Sequence, residues 1–318
     1  MNDKITLRRA VSPRDIARFW DEMDAMLLRD VVPNCDLDEP LPSEDVEYFR
    51  STAYREGIEA ICRRETNPGS RFFFELDGQE VGFVLSVLYD QEDGKCFLID
   101  FCIYPTYRCQ GVGKACFAAL AERMAAEGAE YFELNTHCRR SKRFWESLGF
   151  QYNGYDEHGT ILLCRPPEEY LPFTAVRLTE PEDPELGWQV RKLMNGFLSE
   201  IGEKRLDDEA WERLCMAVRD ERLTFFLARR GCRAVGMCSV SRCFSTFTCR
   251  DIGLLDDFFI EPVFRSQGGA RLLTQTAQIW CREQEMASLT LGCSAGDVEM
   301  YQALGFQEDL GAMLACLF

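Results

Sequence analysis

The sequence predicts an α/β (α+β) protein built as two tandem domains, each a mixed central sheet flanked by helices. Three observations predict it. A chain of 318 residues with 46% hydrophobic content has the length for about two ordinary domains and the apolar content for two cores. The chain also repeats itself: LIDFCIYPTYRCQGVG at 98–113 aligns with LDDFFIEPVFRSQGGA at 255–270 at a spacing of 157. In that frame Asp100 meets Asp257, Phe101 meets Phe258, Ile103 meets Ile260, Arg108 meets Arg265, Gln110 meets Gln267 and Gly111 meets Gly268. Downstream, FWESLGF at 144–150 answers MYQALGF at 300–306 at a spacing of 156. Finally, strand-length and helix-length patterns follow one order in both halves, the signature of two copies of one unit.

In the first half, Ile5–Arg9 reads as a short strand, and Ser12-Pro13 starts a helix running to about Leu28. The segment VVPNCDLDEPLPSED (31–45), rich in Pro and Asp, is a loop, followed by a helix to about Arg63. Arg71–Leu76 and Val81–Tyr89 alternate around Asp77-Gly78, a hairpin signal. Lys95–Tyr104 is too apolar throughout for an edge and is expected to be central. Helix 112–127 carries Ala118, Ala119, Ala121, Ala125 and Ala126 for close packing. Strand Tyr131–Thr136, helix Ser141–Leu148 and a hairpin turning at Glu157-His158-Gly159 complete the unit. The three prolines of CRPPEEYLPF (164–173) end it, which sets domains at 1–165 and 174–318 with a linker at 166–173. The second half repeats the order: strand Thr174–Leu178, helices Pro184–Ile201 and Asp207–Asp220, strands at 224–229 and 234–242, and a strand ending at Ile260. Helix 269–285, strand Ser288–Gly292, helix 297–303 and a short last strand follow. Pro13 and Asp15 align with Pro181 and Asp183 at a spacing of 168, against 157 at the glycine loops. The first copy therefore carries an insertion of eleven residues, placed in the 31–45 loop.

A formal charge of −17 argues against nucleic acid and anionic membranes as partners. It is compatible with a cationic substrate drawn in by Asp36, Asp38 and Glu39 or by Asp207, Asp208 and Glu209, but an acidic surface that only maintains solubility is the favoured reading. Sixteen cysteines without an apolar N-terminal run point to a reducing, cytoplasmic setting. With no C-x-x-C and only His137 and His158, no metal is expected. Cys232, Cys238, Cys243 and Cys249 read as strand packing.

The chemistry concentrates in Arg108-x-x-Gly111-x-Gly113 and Arg265-x-x-Gly268-x-Ala270. Glycines there let successive backbone N–H groups face one ligand, the following helix adds its positive dipole end, and Arg108 and Arg265 place charge at the rim. Such a loop suits a pyrophosphate. The third glycine and the ribose acid of a dinucleotide fingerprint are missing. Each loop follows a strand ending Asp-x-x-Ile-x-Pro, precedes a long helix, and is followed by Leu-Gly-Phe at 148–150 or 304–306. In this combination the chain resembles the GNAT superfamily of N-acetyltransferases, as a tandem member.

The resemblance implies a splayed pair of parallel strands in each domain and acetyl-CoA as co-substrate. A bulge near Cys102-Ile103, or Phe259-Ile260, would part the strands and offer an N–H to the acetyl oxygen. The implied cofactor contacts are Cys102, Ile103, Arg108, Cys109, Gln110, Gly111, Val112 and Gly113 in the first copy. In the second they are Phe259, Ile260, Arg265, Ser266, Gln267, Gly268, Gly269, Ala270 and Ser294. The family's proton donor falls on Tyr301, whereas the first copy has Trp145, whose indole is far too weak an acid. The second copy is thus expected to be the working transferase, with the first binding acetyl-CoA unproductively or not at all. Asp257 and Glu261 are both open as the base, and some family members need none. Strand alternation puts Asp257, Phe259 and Glu261 on one face and Asp256 on the other. Tyr104 replaces Glu261 in the first copy. The early helices are expected to line the pocket of a small amine acceptor, and the tandem pair to stand as a monomer mimicking a dimer or as a homodimer. A non-catalytic acyl-CoA-binding protein, another acyl donor, or an O- or S-acceptor are the alternatives.

Overall fold

In the computed structural model, residues 5–33, 43–136, 138–156, 158–167, 171–181, 183 and 186–311 are described. The chain divides into two units, Met1–Glu168 and Glu169–Phe318.

The first unit begins with β1 (Ile5–Arg9) and α1 (Pro13–Met26), where Ser12 caps the helix and a π turn, Leu27–Val31, extends it. α2 (Ser43–Phe49) and α3 (Thr52–Cys62) follow in place of the single expected helix. The break has a local cause: the Ser51 side chain accepts from Tyr54 N–H and so starts a new helix. Next come β2 (Gly69–Leu76), β3 (Gln79–Tyr89), β4 (Lys95–Ile103), α4 (Val112–Ala126), β5 (Tyr131–Thr136), α5 (Arg139–Glu146), β6 (Gln151–Tyr155) and β7 (Ile161–Arg165). The sheet order is β1-β2-β3-β4-β5-β7-β6, so β4 is central as expected. The Phe72-Phe73-Phe74 run in β2 is wholly buried because both sheet faces are covered. Phe72 and Phe74 pack with Phe117, Leu120 and Trp145 of α4 and α5, and Phe73 packs with Phe19 and Trp20 of α1.

The second unit holds β8 (Thr174–Leu178), α6 (Gly187–Glu200), α7 (Asp208–Arg219), β9 (Leu223–Arg230), β10 (Arg233–Ser245), β11 (Arg250–Ile260), α8 (Gly269–Glu283), β12 (Leu289–Leu291) and α9 (Val298–Ala303). Its sheet order is β12-β11-β10-β9-β8. No strand follows α9 as far as Gly311, and residues 312–318 lie outside the described residues.

Each sheet is antiparallel except for one parallel pair that comes apart. β4 and β5 pair from Lys95–Tyr131 to Leu98–Leu134, and β11 and β12 pair from Gly253–Leu289 to Leu255–Leu291. Beyond those points β4 and β11 continue without their parallel partners. Bulges sit where the pairing ends. Leu85 faces Asp100 while Ser86 faces Leu98, leaving Ile99 as the extra residue. Met237 faces Phe259 while Ser239 faces Asp256, so Cys238 lies opposite Asp257 and Phe258, and Asp257 is held at φ 44°. The bulges therefore lie at Ile99, shortly before Cys102-Ile103, and at Asp257–Phe258, adjoining Phe259-Ile260, near the expected positions, because the extra residue belongs where the strand bends away from its partner.

The register also redistributes the insertion. Gly82 faces Ile103 and Gly236 faces Ile260, so the β2–β3 and β9–β10 hairpins correspond at a spacing of 154. The first copy's extra residues before β2 thus number fourteen, offset by three added to the β10–β11 hairpin. Those two glycines allow close strand approach: a Cβ at Gly82 would stand 2.1 Å from the Cys102 carbonyl oxygen.

Trp145 is a core residue. Its ring lies 5.1 Å from those of Phe101 and Phe150, and its Nε1 donates to Ser141 Oγ at 3.1 Å. Trp145→Ala is expected to cost the N-terminal domain about 3–5 kcal/mol, read from urea unfolding of the variant against the parent.

Candidate active site

The two glycine loops share a backbone. Cys109 at φ 60° and Gly111 at φ 83° precede α4, and Ser266 at φ 60° and Gly268 at φ 96° precede α8. Left-handed residues spaced this way turn consecutive N–H groups toward one point, forming an anion-binding concavity. A Cβ at Gly111 or Gly268 would meet nothing within 4 Å, so the glycines serve the backbone conformation and the space above them is open. Ser12, Ser51 and Asp207 cap α1, α3 and α7, whereas α4 and α8, like α5, α6 and α9, have no side-chain cap. The first-turn amides of α4 and α8 have no intrahelical acceptor, which leaves donors and a positive dipole end for an anion. Inside each loop the glutamine is a brace: Gln110 Nε2 donates to Thr106 O at 2.8 Å and Gln267 Nε2 to Val263 O at 2.9 Å. Gly113 and Gly269 allow close packing, since a Cβ would come within 3.2 Å of the Phe144 ring and 3.3 Å of the Phe173 ring.

The arginines do something other than the expected rim charge. Arg108 Nε donates to Ile103 O at 2.6 Å, and its two Nη groups bind both Asp30 carboxyl oxygens at 2.7 and 2.6 Å. Arg265 Nε likewise donates to Ile260 O at 2.9 Å, and its Nη2 binds Glu200. Each guanidinium thus ties the end of the central strand to the end of the first long helix, with its charge already paired. Against the upward pull of burial, Arg108 and Arg29 hold the Asp30 carboxyl below the usual carboxylate range. Asp30 and Glu200 carried no signal in the sequence, because their partners lie 78 and 65 residues away.

Tyr301 is half-buried on α9, edge-on to Phe258 at 6.2 Å and Phe306 at 6.1 Å. Burial, and then the Asp297, Cys293 and Cys238 charges, push its phenol up. Ser294 Oγ donates to Asp297 Oδ2 at 2.7 Å just before that helix. At the bulge, Ser239 Oγ donates to Asp257 Oδ2 at 3.1 Å. Burial raises the Asp257 carboxyl and Ser239 partly opposes it, while Asp256 is raised by burial and by Asp257. The expected alternation fails across 256–257, since the bulge makes both aspartates neighbours of Ser239.

Glu261 is not a free carboxylate. It forms a buried ion pair with Arg233, with Lys192 Nζ at 3.7 Å, so its charge is spent inside the fold. The side chains of Cys102, Phe259 and Ile260 are buried in the core, which leaves their backbone as the part able to meet a ligand. In the first copy Leu85 stands where the second has Ser239, and Asp100 Oδ2 has no hydrogen-bond partner. The residue keeps some exposed surface, but that oxygen has none, and burial pushes the carboxyl up to about 7. Tyr104 OH is likewise buried without a partner. Of the four cysteines read as strand packing, only Cys238 is buried; Cys243 and Cys249 are exposed around the end of the β10–β11 hairpin. His158 lies in the β6–β7 turn, where its N–H binds Asp156, and His137 and Glu157 fall outside the described residues.

The burial of the Asp100 carboxyl has a stability consequence. Its folded pKa lies above the unfolded value of about 3.9, so the native state is penalised as pH rises from about 4 to 7 and the penalty is complete above that. Asp100→Asn is therefore expected to raise the N-terminal domain's melting temperature at pH 8 and to change it little at pH 4. Equal shifts at the two pH values would show that the carboxyl's ionisation carries no penalty.

Residues 34–150 match the acetyltransferase (GNAT) family, and residues 191–313 match the acetyltransferase (GNAT) domain. Among solved structures, a glucosamine-6-phosphate N-acetyltransferase from Arabidopsis thaliana is 18% identical over 46% of this chain and 99% of its own, at a TM-score of 0.39. The PaiA N-acetyltransferase of Thermoplasma acidophilum, in complex with coenzyme A, is 12% identical over 51% and 99% at 0.40. An aminoglycoside acetyltransferase from an uncultured soil metagenomic sample, in complex with sisomicin, is 13% identical over 46% and 95% at 0.41. No curated protein matches the sequence.

Proposed function

The chain belongs to the GNAT superfamily, with two acetyltransferase domains in tandem, and we propose that its C-terminal domain moves an acetyl group from acetyl-CoA to a small amine by direct transfer. The observation that carries this reading is the uncapped N-terminus of α8 behind the left-handed Ser266 and Gly268, next to the unpaired stretch of β11. This arrangement fits a diphosphate in the loop and an extended thioester arm in the gap. Backbone N–H groups of Gln267, Gly268, Gly269 and Ala270 hold the diphosphate, with Arg265 and Gln267 bracing the loop from below. When bound, acetyl-CoA supplies the activated acyl group. An N–H on the Asp257–Ile260 stretch of β11 stabilises the negative charge that develops on the acetyl oxygen.

The acceptor amine must lose a proton before it attacks. Asp257, raised by burial and held by Ser239, is the base, in preference to the ion-paired Glu261. Tyr301 keeps its proton at neutral pH because burial raises it further, and it protonates the departing sulfur. The acidic surface, with a formal charge of −17, favours a cationic acceptor. In the N-terminal domain the loop is equally formed, but Trp145 is packed into the core where the second copy has its acid. That copy binds acetyl-CoA without turning it over.

Tyr301→Phe is expected to lower kcat by about a hundredfold or more while calorimetric acetyl-CoA affinity is kept. Unchanged turnover would remove Tyr301 as the acid. Gly268→Trp, which fills the open space above the loop, is expected to abolish turnover and one of two acetyl-CoA sites per chain. Full activity in that variant would move the reaction centre to the N-terminal domain.

A further inference from the structure

The sequence places a rim arginine on both glycine loops, and in both the fold spends it on a carboxylate, Arg108 on Asp30 and Arg265 on Glu200. The first copy replaces that charge from another element. We propose that the N-terminal loop is the tighter of the two coenzyme sites, with Arg140 and Arg143 of α5 supplying the cations that hold the phosphates. This rests on the reading that both loops bind acetyl-CoA.

Packing fixes which face of α5 meets the loop. A Cβ on Gly113 would come within 3.2 Å of the Phe144 ring, so Phe144 lies against the first turn of α4. One turn earlier on the same face, Arg140 Nη2 stands 3.9 Å from Sγ of Cys109, a loop residue. Arg143 is the neighbour of Arg140 at i+3. Both are exposed, and among the described residues neither has a carboxylate partner. Lys142 turns instead to Glu146 at 3.6 Å. An accessible guanidinium that meets only a sulfur keeps its charge and its donors for a phosphate.

The second copy is a control within the same chain. At a spacing of 156, Gly296 stands for Arg140 and the exposed Glu299 for Arg143. Residues 138–146 carry a formal charge of +3, and residues 294–302 carry −2. The cations that follow the glycines are matched, since Lys114 and Arg271 occupy the same position and both are exposed. Arg230 adds a cation to the second loop, held on Gln267 Oε1 at 2.7 Å and the Leu171 carbonyl at 2.9 Å. With Arg230 counted, the second loop sets Arg230 and Arg271 against Asp297 and Glu299. The first sets Lys114, Arg140 and Arg143 against no carboxylate on the first turn of α5. In a chain of formal charge −17, that local difference decides how strongly a ligand with several phosphate charges is held.

The test is calorimetric titration of the full chain with acetyl-CoA at about 50 and about 300 mM sodium chloride. Two sites should appear, the tighter about tenfold stronger at low salt, with the gap narrowing at high salt. Arg140→Gln, at an exposed position that leaves the fold intact, should weaken the tighter site about tenfold and flatten its salt dependence. Arg140→Lys should restore most of both, whereas a packing role would not respond to salt. Gly268→Trp should remove the weaker site and keep the tighter one. Two sites of equal affinity, or a tight site that Arg140→Gln leaves unchanged, would overturn this proposal and leave both coenzyme sites standing. Loss of the tighter site in Gly268→Trp would assign it to the C-terminal domain and overturn the proposal as well. No binding of acetyl-CoA at all would overturn it together with the reading it rests on.

Discussion

Parallel pairing between β11 and β12 stops at Leu255–Leu291, and the C-terminal site depends on that termination. A parallel strand buried in a sheet has every N–H and C=O committed to its neighbours and nothing to offer a ligand. The bulge at Asp257–Phe258 ends the pairing with an extra residue, bends β11 away, and frees the backbone of the next few residues. It also swings Asp257 beside Ser239 and Phe258 toward Tyr301. One irregularity of the backbone therefore coincides with the end of the parallel pairing and sets Asp257 beside Ser239 and Phe258 beside Tyr301.

The glycine loop is tied to the end of the central strand by an arginine. Arg265 bonds both the Ile260 carbonyl and Glu200 at the end of α6, and Arg108 does the same with Ile103 and Asp30. Repetition of this clamp in both copies, on different acids from different helix ends, marks it as a requirement of the loop's geometry. A loop whose residues sit at positive φ needs outside support to persist, and bonds to backbone carbonyls supply it.

The copies diverge where a frame of this kind tolerates change. The loop, clamp and splay are common to both, but the polar groups beside the slot are not. Asp257 keeps the Ser239 hydroxyl, whereas Asp100 faces Leu85 and is left with an unpartnered oxygen. Tyr301 is half-buried between two phenylalanines, whereas Trp145 is one ring in a cluster with Phe101, Phe117, Phe144 and Phe150. An apolar residue that fills a core adds stability and offers no acidic proton, so the two copies differ in what this position can do.

Duplication, the order of elements, the glycine loops and the central place of β4 could all be read from the sequence. They rest on local rules: side-chain period, turn chemistry and the repeated spacing of Asp, Arg, Gln and Gly around each loop. Where the sequence reading missed, the interaction at fault was a long-range one. The position of each bulge depends on which residue of a neighbouring strand it faces, so only its neighbourhood could be read and the alternation of Asp256 and Asp257 came out wrong. Arg108 and Arg265 looked like free rim charges because Asp30 and Glu200 come near them only when the first helix packs on the sheet. Glu261 stood beside Asp257 as an open choice of base, because its ion partners Arg233 and Lys192 come from another strand and a helix and are invisible in the local sequence. Residue type and spacing determine what chemistry a position is capable of; which of those groups stays unpaired is decided only when the tertiary structure brings its partners within hydrogen-bond reach.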